Sequence, residues 1–336
     1  MEVVINEIPY PTEKFFRIGY TLRTWEFEKE GLTLEKIVVL DNQTKAALFT
    51  IEKSDLPDIY KDPIPPFPFL TWDKLNHCYL SIQLPLPLDQ AYPTTLSHRF
   101  EFRDTLQNLP MVYEGAIFSP RLSESPVRIS SPVKGEMMLL ENQSTRGLHF
   151  RILLFTGGKL WRPERFAFDS RKYNEEFKFY EGDPKVNESY FNYGDTLYAV
   201  ADGVVVTLVD GLPENHGDAM NVVFYSFIEF AGNYLVLDIG GGHFAGYAHI
   251  VPNSFLVQAG DQVKEGDPVA LLGNSGNSTD PHLHFQITDG PDFIYSNGVT
   301  FVLKRYIKIG DPVIGPIPPT EYTNAMMEET SMLIIE

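Results

Sequence analysis

The sequence predicts an all-β chain. Three observations carry this: many turn-forming and aromatic residues, repeated two-residue alternation of apolar and polar side chains, and no competing helical period in the N-terminal third. The 336 residues include 25 Gly, 25 Pro, 24 Phe and 17 Tyr, a mixture suited to short strands joined by tight turns. With 43% hydrophobic and 21% charged residues the chain is a folded one rather than a disordered or fibrous one. Its length suits one large domain or two ordinary ones.

The elements follow in order. Ile18, Tyr20 and Leu22 alternate with Gly19, Thr21 and Arg23, as in a half-buried strand. Ile37 to Leu40 and Ala46 to Ile51 flank the polar turn Asp41-Asn42-Gln43-Thr44, a hairpin pattern. Cys78, Leu80, Ile82 and Leu84 share one face of a third strand, and Leu96, His98, Phe100 and Phe102 one face of a fourth. The prolines of Pro63 to Pro68 and Pro85 to Pro93 belong to edges or loops, because they cannot donate to a ladder. Residues 1–130 therefore read as an immunoglobulin-like β-sandwich, with His77 and His98 as packing or surface residues.

The Ser/Pro-rich stretch Ser119 to Pro132 reads as a linker in which Val127 and Ile129 could form a last strand. A second domain covers 131–310. Beyond Lys308 there is no Lys or Arg, while Asp311, Glu321, Glu328, Glu329 and Glu336 remain among four prolines. Residues 311–336 are thus expected as an acidic, Pro-containing tail, extended over the body or loose.

A net charge of −18 argues against nucleic acid as partner. Cys78 is the single cysteine, which excludes intrachain disulfides and Cys-based zinc fingers. The most apolar long stretch, Asn221 to Ile239, is broken by Glu229, Asn233 and Asp238, so no transmembrane segment is expected. No signal peptide is visible at Met1-Glu2-Val3-Val4, which leaves a cytoplasmic protein or a processed secreted one.

The chemistry lies further on. In Pro281-His282-Leu283-His284-Phe285-Gln286-Ile287 the alternation predicts a strand, with His282, His284 and Gln286 on the face opposite Leu283, Phe285 and Ile287. Paired imidazoles below the loop Gly273 to Asp280 suit metal binding or acid/base work, although a chance pair on a solvated face would look the same. Upstream, Gly246-Tyr247-Ala248-His249 closes a hairpin turned at Gly240-Gly241-Gly242. His243 at that tip is expected to face solvent, and His216 is expected in a solvated loop.

Four segments together, Gly194-Asp195 to Val205, Gly246 to His249, Gly260-Asp261 to Asp267, and Pro281 to Phe285, resemble the lysostaphin-type (LytM-like) zinc metallopeptidases, metallopeptidase family 23. The resemblance covers residues 150 to 310 or so. It implies antiparallel sheets of the duplicated-hybrid-motif type, one zinc ion in a cleft, and hydrolysis of peptide cross-links in bacterial cell-wall peptidoglycan. It also implies a place in the cell envelope or outside the cell. Residue by residue it implies His284 as a zinc ligand, with His282 and His249 assisting catalysis.

The family's other two ligands come from a His-x-x-x-Asp motif. The matching segment here is Arg165-Phe166-Ala167-Phe168-Asp169, so Asp169 is present but arginine stands where the histidine should be. A guanidinium has no lone pair for a cation, so Arg165 cannot be the third ligand. Two expectations follow. Either the centre is degenerate and the protein binds cell-wall material or regulates another enzyme, or another histidine substitutes. Leu148 to Phe155 reads as a strand; a hairpin centred on Lys159 would set His149 opposite Asp169, whereas one centred on Gly157-Gly158 would miss by about three positions. Family branches with Arg-Phe-Ala-x-Asp also look to carry an upstream histidine. His149 is therefore the candidate third ligand, with Glu164 and Glu175 as carboxylates that no spacing favours. A phosphocarrier with paired histidines is a further rival, against which the Pro-His-Leu-His-Phe strand counts.

Overall fold

The structure is a computed structural model; it describes all residues except 26, 62–76, 143–147, 157, 220–226 and 329. The proline-rich segment 63–68 thus lies outside the described residues. The chain divides into two compact units, one running to Pro126 and one from Val127 to Glu336. Among the described residues no helix is long and apolar enough to cross a membrane.

The first unit begins with β1 (Glu2–Asn6), β2 (Tyr10–Pro11), β3 (Phe15–Trp25), β4 (Leu32–Asp41) and β5 (Ala47–Glu52). A single turn, α1 (Leu56–Ile59), leads into β6 (Tyr60–Lys61), β7 (His77–Pro87), β8 (Leu96–Asp104) and β9 (Pro110–Phe118). One sheet has the order β1-β3-β7-β6 with β2 on β3, and the other the order β5-β4-β8-β9. This is the order of an immunoglobulin-like sandwich, ABED against C′CFG. The alternating residues make its core: Ile18, Tyr20 and Leu22 of one sheet pack with Ile37, Val39 and Phe100 of the other, all fully buried. His98 joins them. Its Nδ1–H donates to the Ala116 carbonyl at 3.0 Å, and its Nε2 accepts from the Tyr20 hydroxyl at 2.8 Å.

The second unit opens with β10 (Val127–Ile129), β11 (Gly135–Asn142) and a one-turn helix α2 (Leu148–Arg151). Next come β12 (Leu154–Thr156), β13 (Lys159–Trp161), β14 (Phe168–Lys172), β15 (Thr196–Tyr198) and β16 (Gly203–Val209). The chain continues through β17 (Asn233–Asp238), β18 (Phe244–Ile250), β19 (Gln262–Val263), β20 (Pro268–Leu271), which pairs with β15 apart from the large sheet, and β21 (Leu283–Thr288). It closes with β22 (Phe301–Asp311), β23 (Gly315–Ala325) and β24 (Ser331–Ile335). Among the described residues one large sheet runs β10-β22-β24-β11-β14-β21-β18-β17-β16-β19, with β23 on β22. The hairpin β17–β18 turns at Gly240, Gly241 and Gly242, all with φ between +67° and +82°, a region that favours glycine.

Two local expectations change, and the strand expected at Val127 and Ile129 is present. Residues 311–336 are not a loose tail: β23 pairs with β22, and β24 lies between β22 and β11. Pro316, Pro318 and Pro319 are tolerated because, among the described residues, β23 has a neighbour on one side only. In β24 the alternation Ser331, Leu333, Ile335 faces inward. The Ser119 to Pro132 stretch contains the division between units, and β10 within it pairs parallel to β22. Finally, Leu148 to Arg151 is a helical turn and not a strand. His149 and Phe150 are adjacent on this turn and both buried, at 6% and 1% exposure.

Candidate active site

Strand register places the first pair. Asp169 of β14 lies directly opposite His284 of β21, on the same face, and His284 Nδ1 is 3.2 Å from Asp169 Oδ1. The other ring nitrogen of His284, Nε2, donates to Gln286 Oε1 at 3.1 Å. Gln286 in turn donates to the Phe293 carbonyl at 2.8 Å. The two-residue spacing that put His284 and Gln286 on one face thus also fixes the tilt of the imidazole and frees Nδ1 for Asp169.

His149 arrives by another route. β12 and β13 pair Leu154 with Trp161 and Thr156 with Lys159, so the hairpin is centred on the glycine pair and not on Lys159. The mismatch that this leaves is taken up by α2, whose turn delivers His149 Nε2 to 3.6 Å from Asp169 Oδ2. The rings of His149 and His284 meet edge to face at 4.7 Å between centroids. One donor atom from each of His149, Asp169 and His284 lies within 4.8 Å of the others, a group able to hold a metal ion.

Arg165 is not part of that group. It is 2% exposed, and its guanidinium lies over the rings of Phe150, at 4.7 Å, and Phe166, at 4.2 Å. Arg162, equally buried, stacks over Phe150 at 5.5 Å and donates from Nη2 to the Phe150 carbonyl at 3.1 Å. The two arginines therefore grip the residue next to His149. Arg165 is thus a packing element of the turn that carries His149.

His249 needs a distortion to reach the same face. Its neighbour Ala248 is the residue opposite His284, so regular alternation would turn His249 away. Between Asn233 and Leu235 the β17–β18 register shifts, and His249 takes φ +63°, left-handed for a non-glycine residue. Its ring thereby comes to 4.7 Å from His282 and 6.0 Å from His284. His249 Nδ1–H donates to the Ser275 carbonyl at 2.7 Å. His282 Nδ1–H donates to the Asp280 carbonyl at 2.8 Å, and its Nε2 is 3.7 Å from Asp169 Oδ1.

The electrostatics separate the histidines. Burial, with the charges of His282 and His284, pushes the His249 pKa well below its ordinary value. Burial also lowers that of His282. Burial opposes charge on His284 too, but the Asp169 hydrogen bond and the charges of Glu164 and Asp169 outweigh it and raise its pKa to about 9. Burial works against the Asp169 carboxylate, yet the surrounding imidazoles hold its pKa well below the usual carboxylate range.

Sequence reading left some neighbours unplaced. Glu164 Oε2 is 3.8 Å from His149 Nε2, through a turn that no spacing rule describes. Arg171, two residues after Asp169 on β14, binds the Asp280 carboxylate at 2.7 Å and also pairs with Glu141. Asn192, buried, donates to the Pro281 carbonyl at 2.9 Å just before His282. His243 is half-buried rather than exposed, and His216 lies exposed in its loop.

Residues 189–295 match the family model described as Peptidase family M23. The chain carries a peptidase family M23 domain. His249, His282 and His284 lie within the matched residues, whereas His149 and Asp169 lie upstream of them. The chain is 33% identical over 94 residues to the peptidoglycan DD-endopeptidase ShyA of Vibrio cholerae, an alignment covering 28% of this chain and 17% of that protein. An uncharacterized metalloprotease of Buchnera aphidicola is 32% identical over 111 residues, 33% of this chain and 29% of its own length. The chain thus spans less than a third of the length of these curated relatives. Among solved structures the catalytic domain of lysostaphin from Staphylococcus simulans is similar at 26% identity, over 35% of this chain and 79% of that one, with a TM-score of 0.22.

Proposed function

We propose that this chain is a zinc-dependent endopeptidase that hydrolyses peptide bonds of bacterial cell-wall peptidoglycan, in the envelope or outside the cell. The observation that carries the proposal is the convergence of His149, Asp169 and His284 on one face, with His249 and His282 beside them. The donors fit zinc: two imidazoles and one carboxylate is a common catalytic set, and it leaves a fourth position open. The second layer fits as well, because Gln286 orients His284 and the Arg162–Phe150–Arg165 stack supports His149.

When bound, zinc supplies a Lewis acid and lowers the pKa of a water to roughly 7. The chain's own groups do the rest. A carbonyl can only accept, so His249 and His282 carry their protons on Nδ1 and leave a lone pair on each Nε2. Their lowered pKa values keep both rings neutral at physiological pH. Each can then take a proton from an attacking water at Nε2. Once charged, either can hydrogen-bond the developing oxyanion or return the proton to the leaving amine. The relatives named peptidoglycan DD-endopeptidase support the substrate class.

The test is zinc content by elemental analysis, followed by digestion of purified sacculi with mass analysis of the released peptides. Close to one zinc per chain and a new amine for each bond cut is the expected result. A chain that takes up no zinc on dialysis against it is a binding module with a degenerate centre.

A further inference from the structure

The segment from Asn174 to Gly182 lines a surface cavity of about 590 Å3, within the size range of small-molecule sites. Three of its eight lining residues, Phe177, Phe179 and Tyr180, are aromatic. Phe177 and Tyr180 are 39% and 37% exposed, although exposed rings are costly in a free monomer when they cluster. Phe177 packs against Tyr173 at 4.9 Å and Phe179 at 5.6 Å, and Tyr180 against Tyr190 at 5.2 Å.

The loop is built to hold these rings out. Phe177 has φ +58°, an unfavourable conformation for a bulky residue. Asn174 makes it possible: its side-chain oxygen accepts from the backbone N–H groups of Glu176 and Lys178, at 3.1 and 2.9 Å. Backbone bonds from Glu181 to Ser189 and from Phe191 to Phe179 tie the loop to the following segment. Such a preformed loop loses little freedom on binding.

Charge narrows the ligand. Glu176 and Glu181 line the cavity, and its one cation, Lys178, pairs with Glu176 at 2.5 Å. On a chain of net charge −18 an anionic ligand would be repelled. A neutral sugar ring suits the lining, because its C–H face packs on an aromatic ring while its hydroxyls donate to carboxylates. Tyr190, the ring partner of Tyr180, is near enough to Asp280 for that charge to add to burial in raising its pKa, and the Asp280 carbonyl holds His282.

We propose that the 174–182 loop is a saccharide subsite that stacks a neutral N-acetylhexosamine unit of a glycan strand on Phe177 and Tyr180. The assignment of a cell-wall glycan rests on the peptidoglycan reading above. It accounts for how an acidic protein docks on an anionic polymer: contact is made through uncharged sugars.

The test is titration of the full chain with the β-1,4-linked tetramer of N-acetylglucosamine, followed by calorimetry or NMR. Saturable binding is expected, weakened about tenfold by Phe177→Ala and by Tyr180→Ala and retained by Tyr180→Phe. Unchanged zinc content and melting temperature in the variants show that they are folded. Absence of saturable binding at millimolar tetramer, or equal binding by both alanine variants, overturns the proposal. So does a sugar-free stem peptide that binds in place of the tetramer and is lost in the same variants. Tetramer binding in a chain that lacks zinc or hydrolysis would support the subsite and strike the peptidase reading alone.

Discussion

Asp169 and His284 face each other directly across β14 and β21, Nδ1 to Oδ1 at 3.2 Å. Side chains alternate along a strand, so a slip of one residue would put them on opposite faces. β21 is also flanked by β18, where Ala248 occupies the position opposite His284. One histidine therefore sets the register of the two neighbouring strands that bring Asp169 and His249 to it.

Removal of a ligand and removal of a proton carrier should differ. His284→Ala, Asp169→Ala and His149→Ala are each expected to abolish stoichiometric zinc in elemental analysis. His249→Ala and His282→Ala should keep zinc and lose about 100- to 10,000-fold in kcat. Zinc retained in His149→Ala would remove that residue from the ligand set.

The arginines next to the centre should act through Phe150. Arg165→Leu leaves all three donors in place but removes a guanidinium stacked on Phe150 at 4.7 Å. Zinc affinity is expected to fall about 10- to 100-fold, as for other groups that orient ligands. Arg165→His should not raise affinity, because in the proposed centre the third donor comes from α2. A competition titration with a fluorescent chelator measures both.

Gly276 has φ +77°, and a Cβ there would come within 2.3 Å of the Gly232 backbone nitrogen. The preceding Ser275 carbonyl holds His249. Gly276→Ala should cost about 1–3 kcal/mol in chemical denaturation and lower kcat with zinc content unchanged. Full activity in this variant would separate the loop from the orientation of His249.

In the first unit, burial lowers the His98 pKa to about 4, against 6.5 when exposed. The native state therefore binds fewer protons than the unfolded one between these values. The neutral ring costs nothing in charge above pH 6.5, and stability falls as pH drops from 6.5 towards 4, by on the order of 3 kcal/mol in all. Denaturant midpoints at pH 7 and pH 5 should differ less in His98→Gln than in the unaltered chain.

How much of this the sequence shows depends on whether the signal is local. The His282–His284–Gln286 face is legible because a period of two needs only the strand itself. The sandwich is legible for the same reason, from runs such as Ile18, Tyr20 and Leu22. A residue can arrive near its expected neighbour by an unexpected route: His149 reaches Asp169 through a helical turn set by burial of Phe150 under two arginines, a tertiary cause. The turn of His249 towards its partners is illegible, since a bulge with φ +63° leaves no mark in the alternation. In the acidic C-terminal segment, charge and proline content hid two strands. Its inward alternation at Ser331, Leu333 and Ile335 is short, and the prolines belong to a strand with one neighbour.

β24 lies between β22 and β11, and β11 is the neighbour of β14, which carries Asp169. The strand beside β14 is thus completed by residues made almost 200 positions later. During synthesis β11 must wait with an open edge until Ser331 to Ile335 leave the ribosome, because so distant a pairing cannot form earlier. The sheet that carries Asp169 therefore closes late, and stopping synthesis before Ser331 should yield a protein without a closed sheet around Asp169.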